Sequence, residues 1–169
     1  MIDYRRKTVI KGQQELRCGY TTGTCAAAAA KAAAVTLLSG EICRDVSLQL
    51  PGGEHIILET EFLECSENCV KCGMIKDAGD DPDITNGLLI CAAVEKTEGE
   101  TILIDGGMGV GRVTKPGLDQ PVGAAAINSV PRKMIHEAVE DVRRQYAWEK
   151  GLKVTVFYFQ MGRKRQKKH

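Results

Sequence analysis

Aromatic residues are scarce: three Phe, four Tyr and one Trp among 169 residues. A core built with so few of them has to be aliphatic and rich in Ala. Long apolar runs are missing too. None reaches the roughly 20 residues that cross a bilayer as a helix, so no membrane partner is expected. The first residues, MIDYRRKTVIKG, lack the apolar stretch of a signal peptide. Seven cysteines, an odd number without an export signal, point to free thiols and a cytoplasmic location. Charge of one sign is also lacking, since the net value is +1. That balance hides an asymmetry. The last nine residues, MGRKRQKKH, hold five of the 23 Lys and Arg, which leaves 18 basic against 22 acidic residues elsewhere. The basic character is a tail and not a face, and this argues against a nucleic-acid-binding body.

What remains is an ordinary soluble composition, 43% hydrophobic and 27% charged, at the size of one domain. The segment LRCGYTTGTCAAAAAKAAAVTLLSG is the clearest helix. Its Ala run has the highest helix propensity available, Thr22 or Thr24 can cap it, and Gly40 stops it. Thr21, Thr22 and Thr24 either cap this helix or help its positive end to hold an anion. ICRDVSLQL, the turn PGG and HIILETEFL then read as a hairpin. GLLICAAVEKT is apolar and then polar, TILID reads as a short strand, and residues 1–16 read as a loosely tied arm or a short strand around Thr8 to Ile10. Pro131 suits the first turn of a second helix. Met134, Ile135, Ala138, Val139 and Val142 form its stripe, and Gly151 ends it. KVTVFYFQ is a last strand with two apolar faces, so both should be covered.

These elements specify an α+β fold: a mixed or antiparallel sheet of about six strands with two main helices packed on it. Residues 1–15 read as an arm, 16–160 as a single domain, and 161–169 as a basic tail.

Three stretches carry chemistry. CGMIKDAGDDPDIT places Asp77, Asp80, Asp81 and Asp83 within seven positions. Carboxylates so close repel one another unless they hold a cation, cap backbone N–H groups or face a polar substrate. They lack the ligand spacing of a calcium loop. Cys65, Cys69 and Cys72 have the C-x3-C-x2-C spacing of an iron–sulfur site. The barrel that usually carries that spacing does not fit the chain, and a zinc site would need a fourth ligand such as Cys91 or His55. Three ordinary thiols are the plainer reading. After TILID, Asp105, Gly107, Gly109 and Gly111 give D-x-G-x-G-x-G, the nucleotide-side loop of many S-adenosylmethionine-dependent methyltransferases. Pro116, Gly117, Pro121 and Gly123 prevent a helix from starting promptly behind it. The glycines then let the chain approach a ligand or another segment closely.

GYTTGTCAAAAAKAA at 19–33, KDAGDDPDIT at 76–85, and GVGRVTKPGL followed by PVGAAAINSVPRKMI at 109–135 resemble the cobalt-precorrin-5B C1-methyltransferase family of anaerobic cobalamin biosynthesis. The blocks keep that family's order and spacing, and the resemblance covers nearly all of 16–160. It implies methyl transfer from S-adenosylmethionine to ring carbon C1 of a cobalt-containing tetrapyrrole. Cobalt enters only with the substrate, and no metal site of the protein's own is expected. Family members are about twice as long, so this chain looks like their N-terminal half, and a homo-oligomer or the distal domain is an expected partner. A flat macrocycle rimmed with carboxylates calls for cations and helix N-termini. The resemblance therefore implies substrate-binding roles for Thr21, Thr22, Thr24, Lys76, Arg112, Lys115 and Arg132. It implies cofactor or ring contact at Gly107, Gly109 and Gly111. Asp77, Asp80 and Asp81 would orient the basic residues, cap backbone groups or act as a catalytic base. Two other readings stand beside this one: a non-catalytic portion that binds tetrapyrrole or needs a partner, and an iron–sulfur or zinc protein.

Overall fold

The computed structural model describes residues 8–11, 14–17, 21–76 and 88–160. Within them the order is β1 (Thr8–Lys11), β2 (Gln14–Arg17), α1 (Thr22–Ser39), β3 (Asp45–Gln49), β4 (His55–Glu59), β5 (Phe62–Cys65), β6 (Cys69–Ile75), β7 (Leu88–Lys96), β8 (Ile102–Gly106), α2 (Ser129–Gln145) and β9 (Leu152–Gln160). The fold is α+β, as the sequence indicates. Its main sheet has five strands in the order β5-β6-β7-β9-β8, and β1–β2 and β3–β4 are separate hairpins. The sheet is mixed. β9 runs antiparallel to β7 and parallel to β8, so β8, α2 and β9 form one βαβ unit.

Both helices lie on one face of this sheet and pack on each other. Val70, Cys72 and Met74 of β6, Ile90, Ala92 and Val94 of β7, and Leu152, Val154 and Val156 of β9 meet them there, all almost inaccessible. Each of the larger aliphatic groups contributes about 1.5–3 kcal/mol of burial free energy. The β3–β4 hairpin closes over α1 from outside. Val46, Leu48, Ile56 and Leu58 point inward, and the alternate residues face water. The core is aliphatic and Ala-rich, as the shortage of aromatics requires.

Three local expectations are revised. The cap of α1 is Thr21, whose Oγ1 accepts from the Thr24 N–H at 3.0 Å, and not Thr22 or Thr24. HIILETEFL is not one strand. It breaks after Glu59, where the Thr60 N–H still donates to the Arg44 carbonyl (2.7 Å) and the Glu61 N–H turns to Gly73 (2.8 Å), starting β5 in the main sheet. α2 ends at Gln145, six residues before Gly151, because Ala147 adopts a left-handed φ of 52°. Gly151 serves the next turn: a Cβ there would lie 2.5 Å from the Thr101 carbonyl oxygen. Gly40 does end α1, with φ 79° and its N–H on the Thr36 carbonyl at 3.0 Å.

Candidate functional site

The parallel pair β8–β9 directs the next loop. In a βαβ unit, ligands favour the crevice beyond the carboxyl ends of the strands. Here that end carries the Gly-rich loop 107–128 and the N-terminus of α2. The N-terminus of α1 meets them, since a Cβ on Gly23 would touch the Pro131 Cβ at 3.1 Å. Two positive helix ends therefore face a single cavity of 190 Å³. Thr22, Gly23, Asn128, Pro131, Val156 and Tyr158 line it. Thr21 Oγ1 also donates to Thr24 Oγ1 (2.8 Å), which fixes the threonine cluster at the rim. Burial raises the Tyr158 hydroxyl pKa, so its proton stays on through neutral pH.

The N-terminus of α2 is capped from a distance. Asn128 makes no side-chain cap bond. Instead Asp119 accepts from the Ser129 N–H at 2.5 Å and from Ser129 Oγ at 2.8 Å. Those bonds hold the Asp119 carboxyl below the usual carboxylate range. An exposed carboxylate thus already occupies the outer side of this helix end.

The cations placed here by the sequence separate into two kinds. Arg132 is spent on the loop: Nε donates to Ile127 O (2.6 Å), Nη2 to Ala125 O (2.9 Å) and Nη1 to Ile104 O (3.4 Å). It ties the loop to the end of β8. Arg112 is half-exposed, at 48% of its side chain. It bonds Asp105 Oδ1 at 2.7 Å and Gly106 O at 3.0 Å, which also lowers the Asp105 pKa. Lys115 is exposed on the loop. Lys76 is buried at the end of β6, and its N–H donates to Leu88 O at 2.8 Å. The register puts β6's last residues beside Leu89 and Phe159, at the same end of the sheet as the cavity. Asp77, Asp80, Asp81 and Asp83 lie outside the described residues.

The glycines of D-x-G-x-G-x-G are filled by the chain itself. A Cβ on Gly107 would meet Thr155 Cγ2 at 3.2 Å, and one on Gly109 (φ 84°) would meet the Tyr158 carbonyl oxygen at 3.1 Å. Gly107 N–H bonds Val156 O, and Tyr158 N–H bonds Met108 O. Gly111 faces open space. No helix follows until Ser129. The strand, Gly loop and prompt helix start of the usual S-adenosylmethionine site are therefore not assembled around Gly107 and Gly109. They serve close packing of the loop on β9.

The cysteine cluster does not converge either. Pleating puts Cys69 and Cys72 on opposite faces of β6, since they are three residues apart. Cys72 is fully buried and its thiol is pushed up to about 12 by desolvation, while Cys65 is exposed. Among the described residues, no three His, Cys, Asp or Glu could share a metal ion. The iron–sulfur and zinc readings fail on this geometry.

Asn128, Tyr158 and Asp119 were not singled out from the sequence. Asn128 carried a signal, an Asn before a Pro-bearing first turn. Asp119 and Tyr158 carried none, because each reaches the site through the tertiary fold.

Comparison with known proteins decides the family. The CbiD family profile matches residues 9–168. The chain belongs to the CbiD family. It is 49% identical over 150 residues to the cobalt-precorrin-5B C(1)-methyltransferase of Priestia megaterium, covering 89% of this chain and 41% of that protein. The Ruminiclostridium cellulolyticum protein of the same name is 48% identical, covering 88% of this chain and 38% of its own length. The crystal structure of the cobalamin biosynthesis protein (cbiD) from Archaeoglobus fulgidus superposes with a TM-score of 0.63 at 29% identity, covering 88% of this chain and 46% of that one. The chain thus spans about two fifths of the curated CbiD relatives it matches. No helix among its described residues is long and apolar enough to cross a membrane.

Proposed function

We propose that this CbiD chain takes part in methylation of cobalt-precorrin-5B at C1, in the cytoplasm, with S-adenosylmethionine as methyl donor. Within that reaction it binds the macrocycle. The observation that carries the reading is the meeting of two helix N-termini at one cavity inside the blocks that define the resemblance. The relatives' printed name supplies the substrate and the reaction. All six described cysteines are free, which suits a reducing compartment.

The chemistry required of these residues is mainly placement. S-adenosylmethionine supplies an electrophilic methyl group. The acceptor carbon has to be held in line with it, and orientation of this kind accounts for several kcal/mol of barrier. A carboxylate-rimmed ring is oriented by charge-assisted bonds. The N–H groups of Thr22 and Gly23 in the first turn of α1 offer two anchor points, while at α2 the Ser129 N–H is already held by Asp119. Arg112 offers a third, its fork already turned by Asp105 so that little entropy remains to be lost. Lys115 adds a mobile charge. Arg132 keeps the loop in place. Asp77, Asp80 and Asp81 remain assigned to ordering these cations or to accepting a proton. The donor is held elsewhere than the Gly107–Gly109 turn.

Calorimetry tests this reading. The chain should bind cobyrinic acid, a cobalt corrin rimmed with carboxylates, and Arg112→Ala should weaken binding about tenfold, the loss of one exposed charge-assisted contact. S-adenosylmethionine added alone should give no heat. Absence of corrin binding would sink the proposal, and tight donor binding would move the cofactor site into this chain.

A further inference from the structure

We propose that the cleft between the β3 edge and α2 is a strand-docking groove, filled in the longer CbiD proteins by an extended segment of the part that this chain does not span. The cleft holds 570 Å³ and lies between the β3–β4 hairpin and α2, with Lys31 of α1 on its lining. Its first wall is a sheet edge with no strand on it among the described residues. The Leu50 N–H bonds Glu54 O at 2.7 Å, and the Thr60 N–H bonds Arg44 O at 2.7 Å. Antiparallel pairing alternates, so 46 and 48 also bond across to β4, while 45, 47 and 49 turn their N–H and C=O outward. The Ser47 carbonyl confirms the direction: it accepts from Lys31 Nζ at 2.6 Å, a contact made from α1. β3 has no second strand partner among the described residues.

The second wall is one stripe of α2. Val130, Met134 and Ala138 recur at helical spacing, between Lys133 and Glu137 on the rim. Val130 is 62% exposed although it is apolar. From Val130 to Asp141 the stripe rises about 16 Å, and a five-residue strand covers about 17 Å. A trough of that length beside outward-facing backbone groups suits an extended chain better than a compact ligand. A strand added at β3 would extend the hairpin layer from α1 across α2. Its backbone would bond the Ser47 N–H and the N–H and C=O of Gln49, the Ser47 carbonyl being already held by Lys31, and alternate side chains would cover Val130 and Met134. The wall charges, Lys31 and Lys133 against Glu137 and Asp141, are balanced, so the backbone and apolar contacts set the specificity. The relatives supply the length: this chain covers only 41% of the Priestia megaterium protein. The inference is independent of the methylation reading.

Amide hydrogen exchange on this chain and on the full-length Priestia megaterium protein tests it. In this chain the Gln49 amide should exchange on the order of 100-fold faster than that of Leu48, which bonds to β4. In the full-length relative the amide aligned with Gln49 should be as protected as its neighbour. Proline at that position of the relative should remove the protection along the groove, because it deletes only an outward N–H and leaves the hairpin ladder whole. Equal and fast exchange at that amide in both proteins would overturn the proposal. Protection in this chain that rises with its concentration would also overturn it, in favour of a second copy.

Discussion

The two helices solve the same packing problem in opposite ways. α1 is covered by the sheet, by α2 and by the β3–β4 hairpin, and it answers with Ala from 26 to 30 and from 32 to 34, all 3% exposed or less. α2 has one covered face and answers with a stripe of Ile135, Ala138, Val139 and Val142. A helix enclosed on all sides gains from small side chains, which let three neighbours approach it. A helix at the edge gains from large ones on one side and charge on the other. Their N-termini differ in the same way. α1 is capped locally by Thr21, three residues from its partner, and α2 by Asp119, ten residues from Ser129. The difference places the candidate site: the enclosed helix fixes the floor, and the edge helix brings a long loop with its cations.

Substitutions can sharpen or break this contrast. The largest effect is expected at Ile135→Ala, which empties a fully buried position of α2 and should cost about 3 kcal/mol in chemical denaturation. Ala29→Leu should cost about 2 kcal/mol by overfilling α1, while His136→Leu on the exposed face of α2 should cost almost nothing. If Ala29→Leu is tolerated, α1 is not tightly enclosed. Thr21→Ala removes the local cap and should cost about 1 kcal/mol. Asp119→Asn should lower Tm less. Its carboxyl has a depressed pKa in the folded state, so the wild-type advantage is present above the unfolded value near 3.9 and fades as pH falls through the folded value below it. A difference in Tm that persists at pH 2 would mean that charge is not the cause. The smallest effect is on reactivity alone. With iodoacetamide at pH 8, Cys65 should be alkylated well before Cys72 and Cys91, whose thiols are both pushed up to about 12 by burial.

Much of the fold was legible because local signals were strong and agreed. The Ala run, Gly40, the PGG turn and the α2 stripe each named an element that the structure contains. The misread points share a cause. The break in HIILETEFL follows from Glu61 turning to pair with Gly73, a contact made by another strand. The end of α2 depends on Ala147 accepting a left-handed φ, which composition does not announce. In the site, Arg112 and Arg132 look alike in the sequence. One is half-exposed beside Asp105, and the other is spent on three carbonyls.

The sequence by itself determined the family and the fold class, because long motifs and periodic apolar residues are local records. Only the tertiary structure decided that Gly107 and Gly109 pack closely against β9. It alone brought Thr22 of one helix against Pro131 of the other and left the β3 edge open. These are distances between residues far apart in the chain, set by how sheet and helices stack, and no local pattern encodes them.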